Sequence, residues 1–188
     1  MIKIGIILGS TRPGRNGEAV AKWVFENAQG RDGVVYELVD LADYPLPHLD
    51  EAVPAGRGKY ELEHTRRWAA KVAEFDGYVF VTPEYNHSIS GVLKNAIDFV
   101  YGEWNNKAAA IVSYGGVGGA RAAEHLRLIL GELRVADVRS QVALSLLTEF
   151  ENFKTFKPGA FHLELLATML AEVESWSRAM KTIREPAA

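Results

Sequence analysis

The chain has no cysteine among its 188 residues, which removes disulfides, thiolate nucleophiles, CxxC redox pairs, iron-sulfur ligation and cysteine-built zinc sites together. Any redox chemistry must come from a bound cofactor. Strong charge of one sign is also missing: the formal net charge is -3 and the isoelectric point is about 6.0. No global positive field is available for nucleic acid or an anionic membrane surface. No apolar run approaches the roughly 20 residues a bilayer span requires. The apolar start, Met1 to Leu8, lacks the basic flank and small-residue cleavage site of a secretory signal. These absences leave small molecules as the expected partners and the cytoplasm as the expected compartment. Histidine is present without ligand spacing. His48, His64, His125 and His162 form no H-E-x-x-H or similar pattern, so no metal is expected. His87-Ser88 lies outside any G-x-S-x-G elbow and reads as loop.

What the chain does have is alternation. Short β-branched runs are separated by longer amphipathic stretches, the pattern of a parallel sheet with crossover helices on both faces. The length suits one domain over residues 1–188. Strands are expected at Ile2 to Leu8, Val34 to Leu38, Tyr78 to Val81, Ala108 to Ser113 and around Val135 and Val138. Helices are expected at Gly14 to Ala28, Glu61 to Glu74, Gly91 to Tyr101, from the Gly115–Gly119 turn to Leu133, and at Phe161 to Ile183. Asp43 to Gly58 and Thr148 to Gly159 read as irregular surface loops near a site or interface, and Pro186-Ala187-Ala188 as a short tail. Trp68, Trp104 and Trp176 are read as core or interface anchors, and Phe150, Phe153 and Phe156 as lining an acceptor pocket or, by preference, a subunit interface.

In an open parallel sheet, ligands bind beyond the carboxyl ends of the strands, where the strand order reverses. The segments there are unusual. After the first strand comes Gly9-Ser10-Thr11-Arg12-Pro13-Gly14-Arg15-Asn16-Gly17, offering hydroxyls, guanidinium groups, an amide side chain and free backbone amides at a helix start. It lacks both the G-x-x-x-x-G-K-[ST] spacing of a nucleoside triphosphate loop and G-x-G-x-x-G, so a dianionic monophosphate fits it better. Ordinary capping by Ser10, Thr11 or Asn16 explains single residues but not the cluster. After the third strand, Pro83-Glu84-Tyr85-Asn86 can frame a flat ring by edge hydrogen bonds and stacking. After the fourth, the glycines of Ser113-Tyr114-Gly115-Gly116-Val117-Gly118-Gly119 permit close backbone approach. A tight strand-to-helix turn is the plainer account of that last loop.

At these residues the sequence resembles the NADPH-dependent FMN reductase family of the flavodoxin-like superfamily, which includes quinone, azo-dye and chromate reductases. The resemblance runs over nearly the whole chain. It is carried by Gly9-Ser10-Thr11-Arg12, by Pro83-Glu84-Tyr85-Asn86 and by the downstream Leu93-Lys94-Asn95-Ala96-Ile97-Asp98. It implies a flavodoxin-like three-layer α/β fold around a five-stranded parallel sheet. It also implies FMN, with Ser10, Arg12, Asn16 and Gly17 on the phosphate, Pro83, Glu84, Tyr85 and Asn86 bordering the isoalloxazine, and Ser113, Gly115 and Gly116 closing its other side. Arg15 falls where many members carry a small residue, leaving two options, a grip on phosphate or a place in solvent. The helix after P-E-Y-N commonly packs across a dimer interface in this family, so a homodimer or homotetramer is expected.

The implied reaction is ping-pong: NADPH or NADH reduces the flavin, then an oxidised small molecule takes the electrons from the same face. No protein nucleophile is needed, because the cofactor carries the chemistry. Either Arg15 or Arg121 is a candidate for the ribose 2'-phosphate of NADPH. The rival is a flavodoxin-type electron carrier that does not oxidise NADPH itself, against which the weak net charge counts.

Overall fold

The computed structural model describes residues 1–185; the Pro186-Ala187-Ala188 tail lies outside them. Five parallel strands, β1 (Ile2–Leu8), β2 (Val34–Asp40), β3 (Gly77–Pro83), β4 (Lys107–Gly115) and β5 (Val135–Ser145), form one sheet in the order β2-β1-β3-β4-β5. This is the flavodoxin-like order. The helices are α1 (Gly17–Asn27), α2 (Glu63–Ala73), α3 (Gly91–Asp98), α4 (Ala120–Glu132) and α5 (Phe161–Arg184). No helix among the described residues is long and apolar enough to cross a membrane.

The two-residue period of a strand sends alternate side chains to opposite faces. On β3, Tyr78 and Phe80 join α2, α3 and α4, whereas Val79 and Val81 join α1 and α5. On β4, Ala109 and Ile111 face the first set, and Ala108, Ala110 and Val112 the second. Every residue of β3 and β4 is buried, as expected for central strands covered on both faces. Trp68 and Trp104 are core residues meeting edge to face at 6.1 Å; Trp176 lies exposed on α5.

Several boundaries differ from the sequence expectation. α1 starts at Gly17, not Gly14, because Gly14 is left-handed (φ 67) and Arg15 N closes a turn on Arg12 O at 3.2 Å. β2 runs on to Asp40, whose carboxylate accepts from Ala42 N at 2.9 Å and starts a 3-10 turn. α3 stops at Asp98 rather than Tyr101. The segment Thr148 to Gly159 is not wholly irregular: β6 (Phe150–Glu151) and β7 (Thr155–Phe156) form a small antiparallel hairpin. Phe150 is buried in the core of its own chain and Phe156 packs edge-on against Trp23 at 5.6 Å. Both rings thus spend apolar surface within their own chain, Phe150 fully and Phe156 in part.

Register brings the key strand ends level. Leu8 pairs with Val81 and Pro83 with Tyr114, so the loops after β1, β3 and β4 emerge side by side at the switch point between β1 and β3. Gly9 N donates to Val81 O at 2.9 Å, and Glu84 N donates to Tyr114 O at 2.9 Å. The Ser90 hydroxyl donates to Gly9 O and accepts from Leu93 N at 3.2 Å, tying the first loop to the start of α3.

Candidate active site

The first loop leaves β1 through Gly9, where a side chain is forbidden: a Cβ would fall 2.9 Å from Leu93 Cδ2 and 3.0 Å from Val81 O. Ser10 follows at 1 % exposure, its hydroxyl 3.0 Å from that of Tyr85. The loop ends at α1, whose N-cap residue Asn16 makes no capping bond. An uncapped helix start leaves first-turn amides and the positive end of the helix dipole available to an anion. The Asn16 amide instead donates to Phe153 O at 2.8 Å. At Gly17 a Cβ would sit 2.6 Å from the Tyr114 hydroxyl and 2.8 Å from Leu8 Cδ1. The Tyr114 hydroxyl is buried beside this helix start, close to the Gly17 amide but without a hydrogen bond of normal geometry among the described residues, and burial raises its pKa well above the usual phenol range. It remains a neutral donor.

The two arginines of the loop do different work. Arg12 is exposed, and its side chain has no hydrogen bond or ion pair among the described residues. Arg15 is 7 % exposed at its side chain; it pairs with Asp40 at 2.5 Å and Glu18 at 2.9 Å and donates to Ser10 O. Its charge is matched by two carboxylates and a carbonyl, so it fastens the loop to the end of β2. Arg15 thus lies along the cavity wall with its guanidinium turned onto Asp40.

The second loop is also divided. Pro83 ends β3. Glu84 lines the cavity and its carboxylate reaches across to α4, accepting from Arg121 N at 3.1 Å and from Arg121 Nη1 at 2.5 Å. This supplies the cap that Gly119, the N-cap residue of α4, cannot. Tyr85 and Ser88 pair through backbone bonds of 2.9 and 3.2 Å around Asn86 (φ 48) and His87 (φ 75). Two left-handed central residues are the signature of a tight primed turn, in which asparagine is well tolerated. Asn86 thus stands exposed at the turn, and Ser88 Oγ lies 2.9 Å from His125 Nδ1.

In the third loop, buried Ser113 donates to Gly118 O at 2.7 Å and shapes the turn. Gly119 is required by crowding, since its Cβ would lie 2.8 Å from both Ser113 Cβ and Tyr114 N. Gly116 is different: a Cβ there would meet nothing within 4 Å. The Gly116 and Val117 amides make no hydrogen bond among the described residues. Open space above free amides is what a flat ring with edge carbonyls needs.

These loops enclose a cavity of about 280 Å³ whose walls include Arg12, Arg15, Asn16, Pro83, Glu84, Tyr85 and Gly115, close to the ~300 Å³ lower end of small-molecule sites. Ser10, Gly17 and Ser113 are buried residues of the loops that form it, Asn86 stands at the exposed turn and Gly116 follows Gly115. Tyr114, Phe153 and Lys154 also line the cavity. From the sequence, Phe153 is expected at an acceptor pocket or an interface and Tyr114 falls within the third loop without a role of its own, although its position before Gly115 was a usable signal; Lys154 was missed. The free guanidinium, the uncapped helix and the orphaned phenol fit a phosphate monoester, and the glycine edge fits the ring attached to it.

Comparison with known proteins agrees. Residues 2–149 match the family model described as NADPH-dependent FMN reductase. The chain is 44 % identical over 146 residues to an NAD(P)H-dependent FMN reductase of Schizosaccharomyces pombe, covering 77 % of this chain and 73 % of that protein. It is 38 % identical over 136 residues to an NAD(P)H:quinone oxidoreductase of Solanum tuberosum, covering 69 % and 67 %. It is 29 % identical over 160 residues to an FMN-dependent NADPH-azoreductase of Staphylococcus saprophyticus, covering 84 % and 82 %. In fold it is similar to FerB, a flavoenzyme NAD(P)H:(acceptor) oxidoreductase of Paracoccus denitrificans, with a TM-score of 0.70 at 21 % identity over 97 % of this chain and 98 % of that one. The chain therefore belongs to the NADPH-dependent FMN reductase family, whose members are oxidoreductases using FMN and NAD(P)H.

Proposed function

We propose that the chain holds FMN with its phosphate at the start of α1 and its ring between Pro83–Tyr85 and Gly115–Gly116, and passes electrons from NAD(P)H to a quinone or another flat small-molecule acceptor. The observation that carries the placement is one cavity with the unpaired Arg12 at the end nearest an uncapped helix and the open face of Gly116 in the neighbouring loop. Bound FMN supplies the redox chemistry, taking hydride from the nicotinamide and giving two electrons to the acceptor. The chain's own part is placement and electrostatics. Arg12 and the α1 amides fix the phosphate, each charge-assisted bond contributing about 1.5 to 3 kcal/mol. The Gly116 and Val117 amides donate to the ring edge where negative charge develops. Tyr85, held against Ser10, forms the wall.

The quinone- and azo-reducing relatives support the acceptor class, and the reductases among them disfavour the electron-carrier alternative. Arg12 and Lys154, exposed and lining the cavity, also make its mouth cationic, unlike an acidic docking face. Arg15 and Arg121 are both paired with carboxylates, but Arg15 is 7 % exposed and held by Asp40 and Glu18, whereas Arg121 is 46 % exposed at its side chain, so Arg121 is the more accessible candidate for the NADPH 2'-phosphate. We assign the chain to the cytoplasm, where its nucleotide donors are kept reduced. Self-association through α3 and α4 is proposed as well, since Leu128 is 77 % exposed beside an apolar groove lined by Ile97, Tyr101 and Ile129; light scattering after size exclusion tests it.

The deciding experiment adds NADPH anaerobically to the FMN-loaded protein and then adds benzoquinone. Bleaching of the visible flavin band followed by its return is expected. Bound flavin that NADPH and NADH leave oxidised would restore the electron-carrier reading, and failure to bind FMN would refute the site.

A further inference from the structure

The hairpin β6–β7 lies just past the segment matched by the family model, which ends at residue 149. Its base is fixed by Phe150 under Tyr114 at 6.4 Å and by Phe156 against Trp23. Its tip is a turn closed by Lys154 N donating to Glu151 O at 3.0 Å, with Asn152 (φ 52) and Phe153 (φ 59) both left-handed. For a bulky residue such as Phe153 that backbone is strained, and a glycine would avoid the strain. The strained residue is held where it is by the Asn16 amide, which reaches from the first turn of α1 to Phe153 O.

The side chains at this tip are unusual in their company. Phe153 is 59 % exposed, an apolar ring left at the wall of a cavity it shares with Arg12 and Asn16. Lys154 lines the same cavity and its ammonium has no hydrogen bond or ion pair among the described residues, whereas its neighbour Lys157 is bonded to Glu151. The carboxylates near the loop are already matched, Asp40 and Glu18 by Arg15 and Glu151 by Lys157. Lys154 and Arg12 are thus two uncompensated cations on one wall, the charge complement of a dianionic phosphate ester.

We propose that Phe153 and Lys154 are cofactor-binding residues that close the phosphate end of the site, Lys154 adding a second cation and Phe153 covering the phosphate and its adjoining chain from solvent. The inference rests on the phosphate placement proposed above. Backbone strain at Phe153 is then offset when ligand burial removes its ring from water.

The test uses the full chain without flavin and measures affinity and release rate for FMN and for riboflavin, which lacks the phosphate. Wild type is expected to favour FMN strongly. Lys154→Ala is expected to raise the FMN dissociation constant about three- to tenfold and to lessen its salt dependence, with riboflavin unaffected. Phe153→Gly is expected to release FMN about tenfold faster while the melting temperature of the flavin-free chain stays level or rises, because the strain is relieved. A purely structural hairpin would show the reverse, a lowered melting temperature with unchanged release. If both variants bind FMN as wild type does while wild type still discriminates against riboflavin, the hairpin proposal falls and the phosphate placement stands. If wild type does not discriminate, both fall.

Discussion

At the end of the sheet opposite the cavity, the first residue of β4 is a lysine with almost no access to water. Lys107 is 4 % exposed; its Nζ donates to Val72 O and to the Tyr78 hydroxyl, each at 2.9 Å, and no carboxylate among the described residues bonds to it. Burial, reinforced by repulsion from Arg184 and opposed by Asp76 and Glu103, pushes its pKa down from 10.5 to about 7. The consequence for stability has a definite sign. Between pH 7 and 10.5 the unfolded chain carries a proton at this residue that the folded chain does not, so stability rises with pH across that window. The slope is about 1.4 kcal/mol per pH unit, and below pH 7 the full penalty, on the order of 5 kcal/mol, is present. Set against a typical net stability of about 5 to 15 kcal/mol, that is a large fraction. Lys107→Met keeps the length of the side chain and removes the charge. It orphans nothing costly, because the Tyr78 hydroxyl also donates to Val72 O at 2.9 Å. The variant is expected to be more stable than wild type by roughly 2 to 5 kcal/mol at pH 7. The gap should narrow by about 1.4 kcal/mol for each pH unit up to 9.5. Urea unfolding of the two proteins at matched pH values between 6 and 9.5 measures it. A gap independent of pH, or a variant less stable at pH 7, would show that the two hydrogen bonds compensate the buried charge and refute the reasoning.

Other expectations separate binding from stability. Gly116→Ala should leave the melting temperature of the flavin-free chain unchanged, since its Cβ meets nothing, yet weaken FMN at least about tenfold by occupying the ring's place; equal affinity would displace the ring from this loop. Arg12→Ala should weaken FMN by about 1.5 to 3 kcal/mol with little change in melting temperature. Arg15→Ala should do the opposite first, lowering stability by roughly 2 to 4 kcal/mol because it leaves Asp40 without its partner; denaturation and flavin titration of both variants check the contrast. Glu84→Gln, which weakens both the ion pair to Arg121 and the cap on α4, should lower the melting temperature by about 2 to 4 °C. Arg121→Ala should reduce the ratio of kcat/KM for NADPH over NADH, and an unchanged ratio would remove Arg121 from nucleotide selection.

Much of this architecture was readable because periodicity and burial agree. β3 and β4 are apolar throughout and lie at the centre of the sheet, where nothing else fits. β5 was visible only at Val135 and Val138, yet it runs eleven residues. Its pattern is interrupted by Asp137 and Arg139, and its register against β4 slips between Ala109 and Ile111, so the two-residue alternation that marks a strand is broken. The site loops were legible as a set of residue types, but not in their division of labour. Nothing in the order Arg12-Pro13-Gly14-Arg15 says which guanidinium turns inward. That depends on Asp40, which arrives at the end of a neighbouring strand through parallel pairing of Leu8 with Asp40. Likewise nothing in Pro83-Glu84-Tyr85-Asn86 says that Glu84, on the cavity wall, also caps α4, which starts beside it without a side-chain cap of its own.

That division has a physical logic which extends across the loops. A phosphate cradle must hold several donors in place before the anion arrives, and mutual repulsion among cations and unpaired amides works against it. Here the first and second loops each carry one charged residue committed to its own neighbours, Arg15 to Asp40 and Glu84 to Arg121, and these committed pairs set the backbone on which the uncommitted groups are displayed. Arg12, Lys154, the start of α1 and the amides of Gly116 and Val117 are then free to meet a ligand without first breaking an internal bond. Such preorganisation lowers the reorganisation that binding would otherwise require. It also predicts how the two sets respond to salt: raising ionic strength should loosen FMN through the exposed Arg12 and Lys154 well before it destabilises the loops, because the buried Arg15–Asp40 pair is screened far less. A protein in which both losses track together, measured by flavin release and by melting temperature over the same salt series, would not have its charges divided in this way.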